Sequence, residues 1–162
     1  MIERPSQKIA VVLERRTLPG RWSTEHWDLV GVVPDVGGEA RTIVEGEGRL
    51  QRLFPGIDLV LYRDEAEGYY LNASTDAPSV FVAMRFEEPS GDAYPFQVTL
   101  SYNEAARWMD GAERVERAVV WPELAAWMAQ WVADNYRPEP KQRRRPQSFV
   151  GKEGRLRERN GR

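Results

Sequence analysis

The sequence predicts an α+β domain: a curved or closed antiparallel β-sheet of six or seven strands, packed by a C-terminal amphipathic helix. Three observations lead there. Apolar residues alternate with polar ones at a period of two up to about Tyr102, turn-forming clusters separate the alternating runs, and one stripe of helical spacing follows Pro122. Seven strands followed by a helix is also the element order of a pleckstrin-homology-like barrel, the more specific architecture this pattern suggests.

Taken in order, Ile9, Val11 and Leu13 point one way between Lys8 and Glu14. After Pro19-Gly20, the residues Trp27, Leu29, Gly31 and Val33 repeat the pattern. The segment from Thr42 to Leu50 is the weakest strand, because Gly46 and Gly48 lack side chains to pack. Alternation returns at Ile57, Leu59 and Leu61, at Tyr69 and Leu71, at Val80, Val82, Met84 and Phe86, and at Phe96, Val98 and Leu100. The clusters Pro34-Asp35-Val36-Gly37-Gly38, Phe54-Pro55-Gly56 and Pro89-Ser90-Gly91-Asp92 favour hairpin connections, hence antiparallel pairing.

Two helices follow. Ser101-Tyr102-Asn103-Glu104 has the spacing of a capping box, which predicts a short helix to Asp110 with Gly111 as its stop. Pro122 suits the first helical position, and Trp121, Leu124, Trp127, Met128, Trp131 and Val132 fall on one stripe. Three indoles on one stripe predict a helix lying across a sheet face or plugging a barrel end, with its tryptophans in the core.

Charge divides the chain more sharply than hydropathy does. Residues 1–136 hold 13 Lys+Arg against 22 Asp+Glu, a net of −9, whereas residues 137–162 hold 10 against 3, a net of +7. The expected organisation is a single globular domain over 1–136 and a basic, flexible tail over 137–162. Hydrophobic residues make up 41% of the chain, enough for the body to bury a core. The chain has no cysteine, which excludes disulfides, thiolate nucleophiles and Cys-ligated metal centres. Met1 to Gln7 is polar, and no apolar run approaches the roughly 18 residues of a membrane span, so a cytoplasmic protein without membrane insertion is expected.

Catalytic devices are sparse. His26 is the one histidine, and any triad or imidazole-based metal site would need it; its neighbours Glu25 and Asp28 supply charge without ligand spacing. Asp64, Glu65 and Glu67 crowd one stretch before Gly68, and the expectation for them is a solvated hairpin turn. Glu45-Gly46-Glu47-Gly48 has the glycines of a phosphate loop but two carboxylates that would repel the phosphate. No cofactor and no metal is expected. Arg16, Arg21, Trp22 and Tyr70 form the candidate pocket or anion-binding set, against the alternative that the arginines pair with acids of the body. In the tail, Lys141, Arg143, Arg144 and Arg145 with Phe149 form the candidate partner-docking element, the cations steering and the ring anchoring. Contact with nucleic acid through the tail is a further alternative, opposed by the −9 body. The tail could also fold back on its own acidic body.

A resemblance extends this reading. Val11-Val12-Leu13-Glu14-Arg15-Arg16, Arg21-Trp22, Trp27, Arg63-Asp64-Glu65-Ala66-Glu67-Gly68-Tyr69-Tyr70-Leu71-Asn72, Pro78-Ser79-Val80-Phe81-Val82 and Ser101-Tyr102-Asn103-Glu104-Ala105-Ala106-Arg107 resemble the bacterial family called domain of unknown function 3305. The similarity continues into Tyr136-Arg137-Pro138-Glu139-Pro140-Lys141. The resemblance implies an association with molybdenum-dependent formate dehydrogenase, beside whose genes and maturation factors such proteins are often encoded. Some members carry a label of molybdopterin-guanine dinucleotide synthesis. A nucleotidyltransferase of that type needs a glycine-rich loop with a basic residue after its first strand, and Glu14 to Gly20 supplies none. The function expected from residues and resemblance together is a non-catalytic accessory or adaptor protein in assembly or regulation of that dehydrogenase system. Its alternative is a small-molecule-binding enzyme or anion-binding domain at the Arg/Trp/Tyr set.

Overall fold

Two antiparallel sheets enclose most of the apolar residues in this computed structural model, which describes residues 4–20 and 24–138. The strands are β1 (Ser6–Leu18), β2 (Thr24–Pro34), β3 (Arg41–Gly46), β4 (Arg49–Val60), β5 (Ser79–Phe86), β6 (Ala93–Thr99) and β7 (Arg114–Val119). The helices are α1 (Ala66–Ala73), entered through a 3-10 turn at Arg63–Glu65, α2 (Tyr102–Asp110) and α3 (Pro122–Asn135). The four-stranded sheet has the order β2-β1-β4-β3 and the three-stranded sheet the order β6-β5-β7.

The α+β class and the antiparallel pairing are as the sequence predicts, but the strands divide into sheets of four and three and close no barrel. The pleckstrin-homology-like architecture is therefore not adopted. The flanks of the sheets do approach each other, β2 beside β7 and β4 beside β6. Between β2 and β7, side chains stand where a backbone ladder would close the gap. The Arg114 guanidinium donates to the carbonyl of Trp27, and the amide of Leu29 donates to Glu116 Oε1 at 3.4 Å. Edge groups of β2 are thereby partnered by side chains, so no ladder is needed to offset their burial.

The core follows the alternation of β1. Ile9, Val11 and Leu13 face inward and meet Leu59, Val80, Val82, Met84 and Leu100, while Ala10 and Val12 point to the other face and pack on Leu53. From α3, Leu124, Met128 and Val132 enter the same core, with Trp121, Trp127 and Trp131 partly buried against it. The tryptophan stripe thus packs as predicted. Its helix lies against α1, and the Trp131 ring meets Tyr69 edge-on at 5.4 Å.

Four elements depart from the sequence prediction, each for a local physical reason. The segment from Thr42 to Leu50 is not one strand but the β3–β4 hairpin, turning at Glu47-Gly48, where Gly48 has φ 69°. Trp27, Leu29, Gly31 and Val33 do not share one face: Val12 pairs with Gly31 and Leu13 with Leu29, leaving Val30 as a bulge residue. The extra residue resets the alternation, so Trp27 and Val32 are buried and Val33 is exposed. Phe54-Pro55-Gly56 is a bulge inside β4, not a turn, since Val11 pairs with Phe54 and Ile9 with Ile57. Gly56 has φ 72° there, and its amide donates to Asp35 Oδ1 at 2.8 Å. Tyr69 and Leu71 lie in helix α1, not in a strand, and the strand that makes up the seven is β7.

Helix α1 forms because its contact residues recur at helical spacing: Glu65, Gly68, Tyr69 and Asn72 are all buried. Gly68 lets α1 approach the start of α2, for a Cβ at that position would lie 2.0 Å from Ser101 Oγ and 2.9 Å from Ser101 Cβ. Asn72 ties α1 to both neighbours. Its amide nitrogen donates to the carbonyls of Ser79 (2.7 Å) and Leu100 (2.9 Å), and its oxygen accepts from the Ser79 amide at 3.0 Å. The Tyr69 hydroxyl accepts from the amide of Tyr62 at 2.9 Å, and burial pushes this phenol above its ordinary pKa.

A Gly68→Ala substitution should lower unfolding free energy by at least about 2 kcal/mol, the range expected of overpacking against a fixed wall. Urea denaturation checks it: the midpoint should fall, and an unchanged midpoint would contradict the close approach of the two helices.

Candidate functional site

Asp58, Asp64, Glu65 and Glu104 lie where the end of β4, the entry to α1 and the start of α2 converge, and the fold treats Glu65 unlike the rest. Glu65, expected in a solvated turn, is 8% exposed. The Ser101 hydroxyl donates to Glu65 Oε2 at 2.5 Å, and the Arg107 guanidinium donates to Oε1. Ser101 also caps α2 as predicted, its hydroxyl accepting from the Glu104 amide at 3.0 Å. Its own amide donates to Thr99 Oγ1 at 3.0 Å, in place of the reciprocal bond from Glu104 that the capping box suggests. The error in reading Glu65 as solvated has a clear cause. A hairpin turn exposes its carboxylates, but a 3-10 turn leading into a buried helix aims one of them inward.

The Glu65 carboxylate and Ser101 hydroxyl do not make an acyl-transfer device. Ser101 is fully buried, its hydroxyl proton is engaged by Glu65, and its lone pair is engaged by the α2 amide. His26 is exposed on β2, bordering a cavity of about 310 Å³ with Arg16, Leu18 and Asp28. Among the described residues, no group of three or more His, Cys, Asp or Glu is arranged to hold a metal ion, and no helix is long and apolar enough to cross a membrane.

Beside Glu65 runs a groove of about 470 Å³ between β4, β6 and α2, lined by Asp58, Tyr62, Asp64, Phe96, Glu104 and Trp108 among others. It adjoins a second cavity of about 740 Å³ that shares Tyr62 and Asp64 and reaches Trp131 and Asn135 at the end of α3. Asp58 and Asp64 are exposed and Glu104 half-buried. The groove thus joins carboxylates to aromatic rings, a combination suited to cations carried on a chain with apolar parts. Sequence reasoning missed it because its residues come from three elements far apart in the chain.

Of the residues proposed from sequence as a pocket, the two that the structure describes, Arg16 and Tyr70, line neither the groove nor the cavity beside it. Arg16 pairs with Asp28 at 3.0 Å and approaches Glu14 at 4.0 Å. Tyr70, half-buried on α1, packs its ring against Tyr136 at 5.1 Å between centroids. No cavity found among the described residues includes both Arg16 and Tyr70. Arg21 and Trp22 lie outside the described residues, as do Lys141, Arg143, Arg144, Arg145 and Phe149.

Glu14, next to Arg16, is a structural acid. The Arg49 guanidinium and the Gln51 amide (3.2 Å) donate to its carboxylate and hold its pKa below the ordinary value of 4.5.

A comparison with family models matches residues 8–145 to a family described as a protein of unknown function (DUF3305). The chain belongs to that family. No curated protein and no solved structure matches. The matched span of this DUF3305 protein contains the helix junction, the groove and the first cations of the tail.

Because the folded chain binds a proton at Glu14 less readily than the unfolded chain, the resulting stabilisation is complete above about pH 4.5 and is lost as pH falls through the lower folded value. Glu14→Gln should therefore flatten the acid limb of a stability-versus-pH curve below about pH 5, measured by urea midpoints. Ser101→Ala should cost at least about 1–2 kcal/mol, since it removes a helix cap and one partner of a buried carboxylate. Thermal unfolding checks this; a change within about 0.5 kcal/mol would show that Ser101 is dispensable.

Proposed function

We propose that this DUF3305 protein is a non-catalytic accessory or adaptor protein that docks a protein partner through its basic tail. The observation that carries the reading is the charge division: net −9 over residues 1–136 and net +7 over 137–162. Such a division favours a short cationic element that engages an acidic partner while the body opposes polyanions such as nucleic acid. The docking residues are Lys141, Arg143, Arg144 and Arg145, with Phe149 as the apolar anchor.

Internal engagement of the residues that carry the family resemblance supports a role outside catalysis. Gly68 serves a helix contact, Tyr69 and Asn72 serve the core, and Ser101 and Arg107 serve Glu65. Groups held this way serve the packing of the helices and the position of the surface around them. The partner system we propose is that of a molybdenum-dependent formate dehydrogenase in the cytoplasm, which the family resemblance implies; assembly or regulation of that enzyme fits a binding protein.

Affinity capture from native lysate with the full chain and with a chain ending at Pro140 tests this. A dehydrogenase-system component should be retained by the full chain and lost, at least tenfold, on truncation, a factor equivalent to about 1.4 kcal/mol. Retention should also fall as salt rises. Identical partners for both chains would overturn tail docking, and salt-dependent retention on nucleic acid that survives truncation would overturn the adaptor reading.

A further inference from the structure

We propose that the tail docks in cis, Lys141 to Arg145 and Phe149 lying in the acidic aromatic groove between β4, β6 and α2, so that a partner must displace it from its own body. This regulation rests on the adaptor reading above, and it adds a site on the body that the sequence does not show.

Charge is the first argument. Arg15, Arg16, Arg49, Arg52, Arg85, Arg107 and Arg114 each face an acid of the body within ion-pair distance. Asp58, Asp64 and Glu104, by contrast, have no ion pair or side-chain hydrogen bond among the described residues. Three carboxylates in one groove therefore await cations, and the largest supply in this chain is the run of four in residues 141–145.

Reach is the second. Helix α3 ends at Asn135, which lines the cavity adjoining the groove and sharing Tyr62 and Asp64 with it. Lys141 follows six residues later and Phe149 fourteen, spans of up to about 22 and 50 Å when extended. The cavity at the end of α3 thus leads, through the shared Tyr62 and Asp64, into the groove. Its rings also suit the tail's chemistry: the Arg85 guanidinium sits 3.4 Å from the Phe96 centroid and that of Arg4 4.8 Å from Tyr62, so these rings already receive guanidinium groups. Tyr62 and Phe96 remain 37% and 40% exposed, open to further arginines or to Phe149.

Tethering decides whether such contacts matter. A short linker gives an effective concentration of about 1 mM, so a groove with an intrinsic dissociation constant of about 100 μM would be filled in about nine chains of ten. A partner that binds the tail more tightly would empty it.

The test uses a peptide of residues 139–150 titrated into full-length proteins, followed by fluorescence anisotropy. A chain carrying Lys141→Gln, Arg143→Gln, Arg144→Gln and Arg145→Gln should bind the peptide saturably, and the wild-type chain at least tenfold more weakly because its groove is filled. Adding Asp58→Asn, Asp64→Asn and Glu104→Gln to the neutralised chain should weaken binding at least tenfold; Asp64→Asn alone serves if the triple variant unfolds. No peptide binding, equal binding by wild-type and tail-neutralised chains, or indifference to the groove substitutions would each overturn the proposal. A wild-type dimer in sedimentation that tail neutralisation converts to monomer would place the tail in a second copy and overturn docking in cis. Failure of the peptide with tail-dependent partner capture intact would leave the adaptor reading standing; peptide binding with capture indifferent to the tail would instead remove that reading and keep the groove as the tail's site.

Discussion

The Ser101 hydroxyl is the point through which the helical half of this fold is assembled. It accepts from the first turn of α2, donates to the buried Glu65 carboxylate at the entry to α1, and rests against Gly68, where any side chain would collide with it. Three requirements meet at one atom: a cap, a neutral donor for a carboxylate taken out of water, and the absence of a Cβ. Each is satisfied only while the others are, because a buried carboxylate without donors is far more costly than an exposed one. Arg107 completes the arrangement from the last turn of α2, where a cation also favours the helix dipole.

That junction sets the position of α1, and α1 sets much else. Asn72 bonds the beginning of β5 and the end of β6, Tyr69 closes onto the end of β4, and Trp131 of α3 packs edge-on to the Tyr69 ring. The helices and the three-stranded sheet are held together by hydrogen bonds directed into the core. Joining of the two sheets is different in kind. Arg114 and Glu116 reach across from β7 to the backbone of β2, while Arg15 and Arg52 approach Asp92 within 4.0 Å on the opposite flank. Side chains, not strands, bridge both gaps, and exposed ion pairs of this kind contribute little individually. Apolar burial between the sheets supplies the larger share of the association.

The division of charge acquires a place in three dimensions. Most arginines of the body are matched by neighbouring acids, so the net −9 of residues 1–136 is concentrated in acids without such neighbours, and Asp58, Asp64 and Glu104 share one groove. Aromatic rings beside them make the groove a site for cationic chain and not merely a polar depression. The adjoining cavity reaches the end of α3, and its position follows from how α3 lies on α1, hence from the Ser101 junction. The local geometry that fixes the core therefore also fixes where the body meets its own tail in the reading developed above.

Alternation in β1, the capping serine of α2, the proline start of α3 and the tryptophan stripe were legible because each is a local pattern whose cause lies within a few residues. Helix α1 was obscured because Tyr69-Tyr70-Leu71 has the aromatic character of a strand, and its decisive contact residue, Gly68, has no side chain to register in a hydrophobic pattern. Strand β7 was obscured because Arg114, Glu116 and Arg117 leave it few apolar positions to alternate, although two of them are bridging groups toward β2. The bulges at Val30 and at Pro55-Gly56 shift inward faces by one residue, a change that depends on the partner strand. By itself, the sequence determined the α+β class, the ends of α2, the start of α3 and the segregation of charge, all properties of neighbouring residues. Only the tertiary structure decided that the sheets stay open, that Glu65 is buried and that three distant carboxylates share a groove, because these depend on which surfaces meet across the chain.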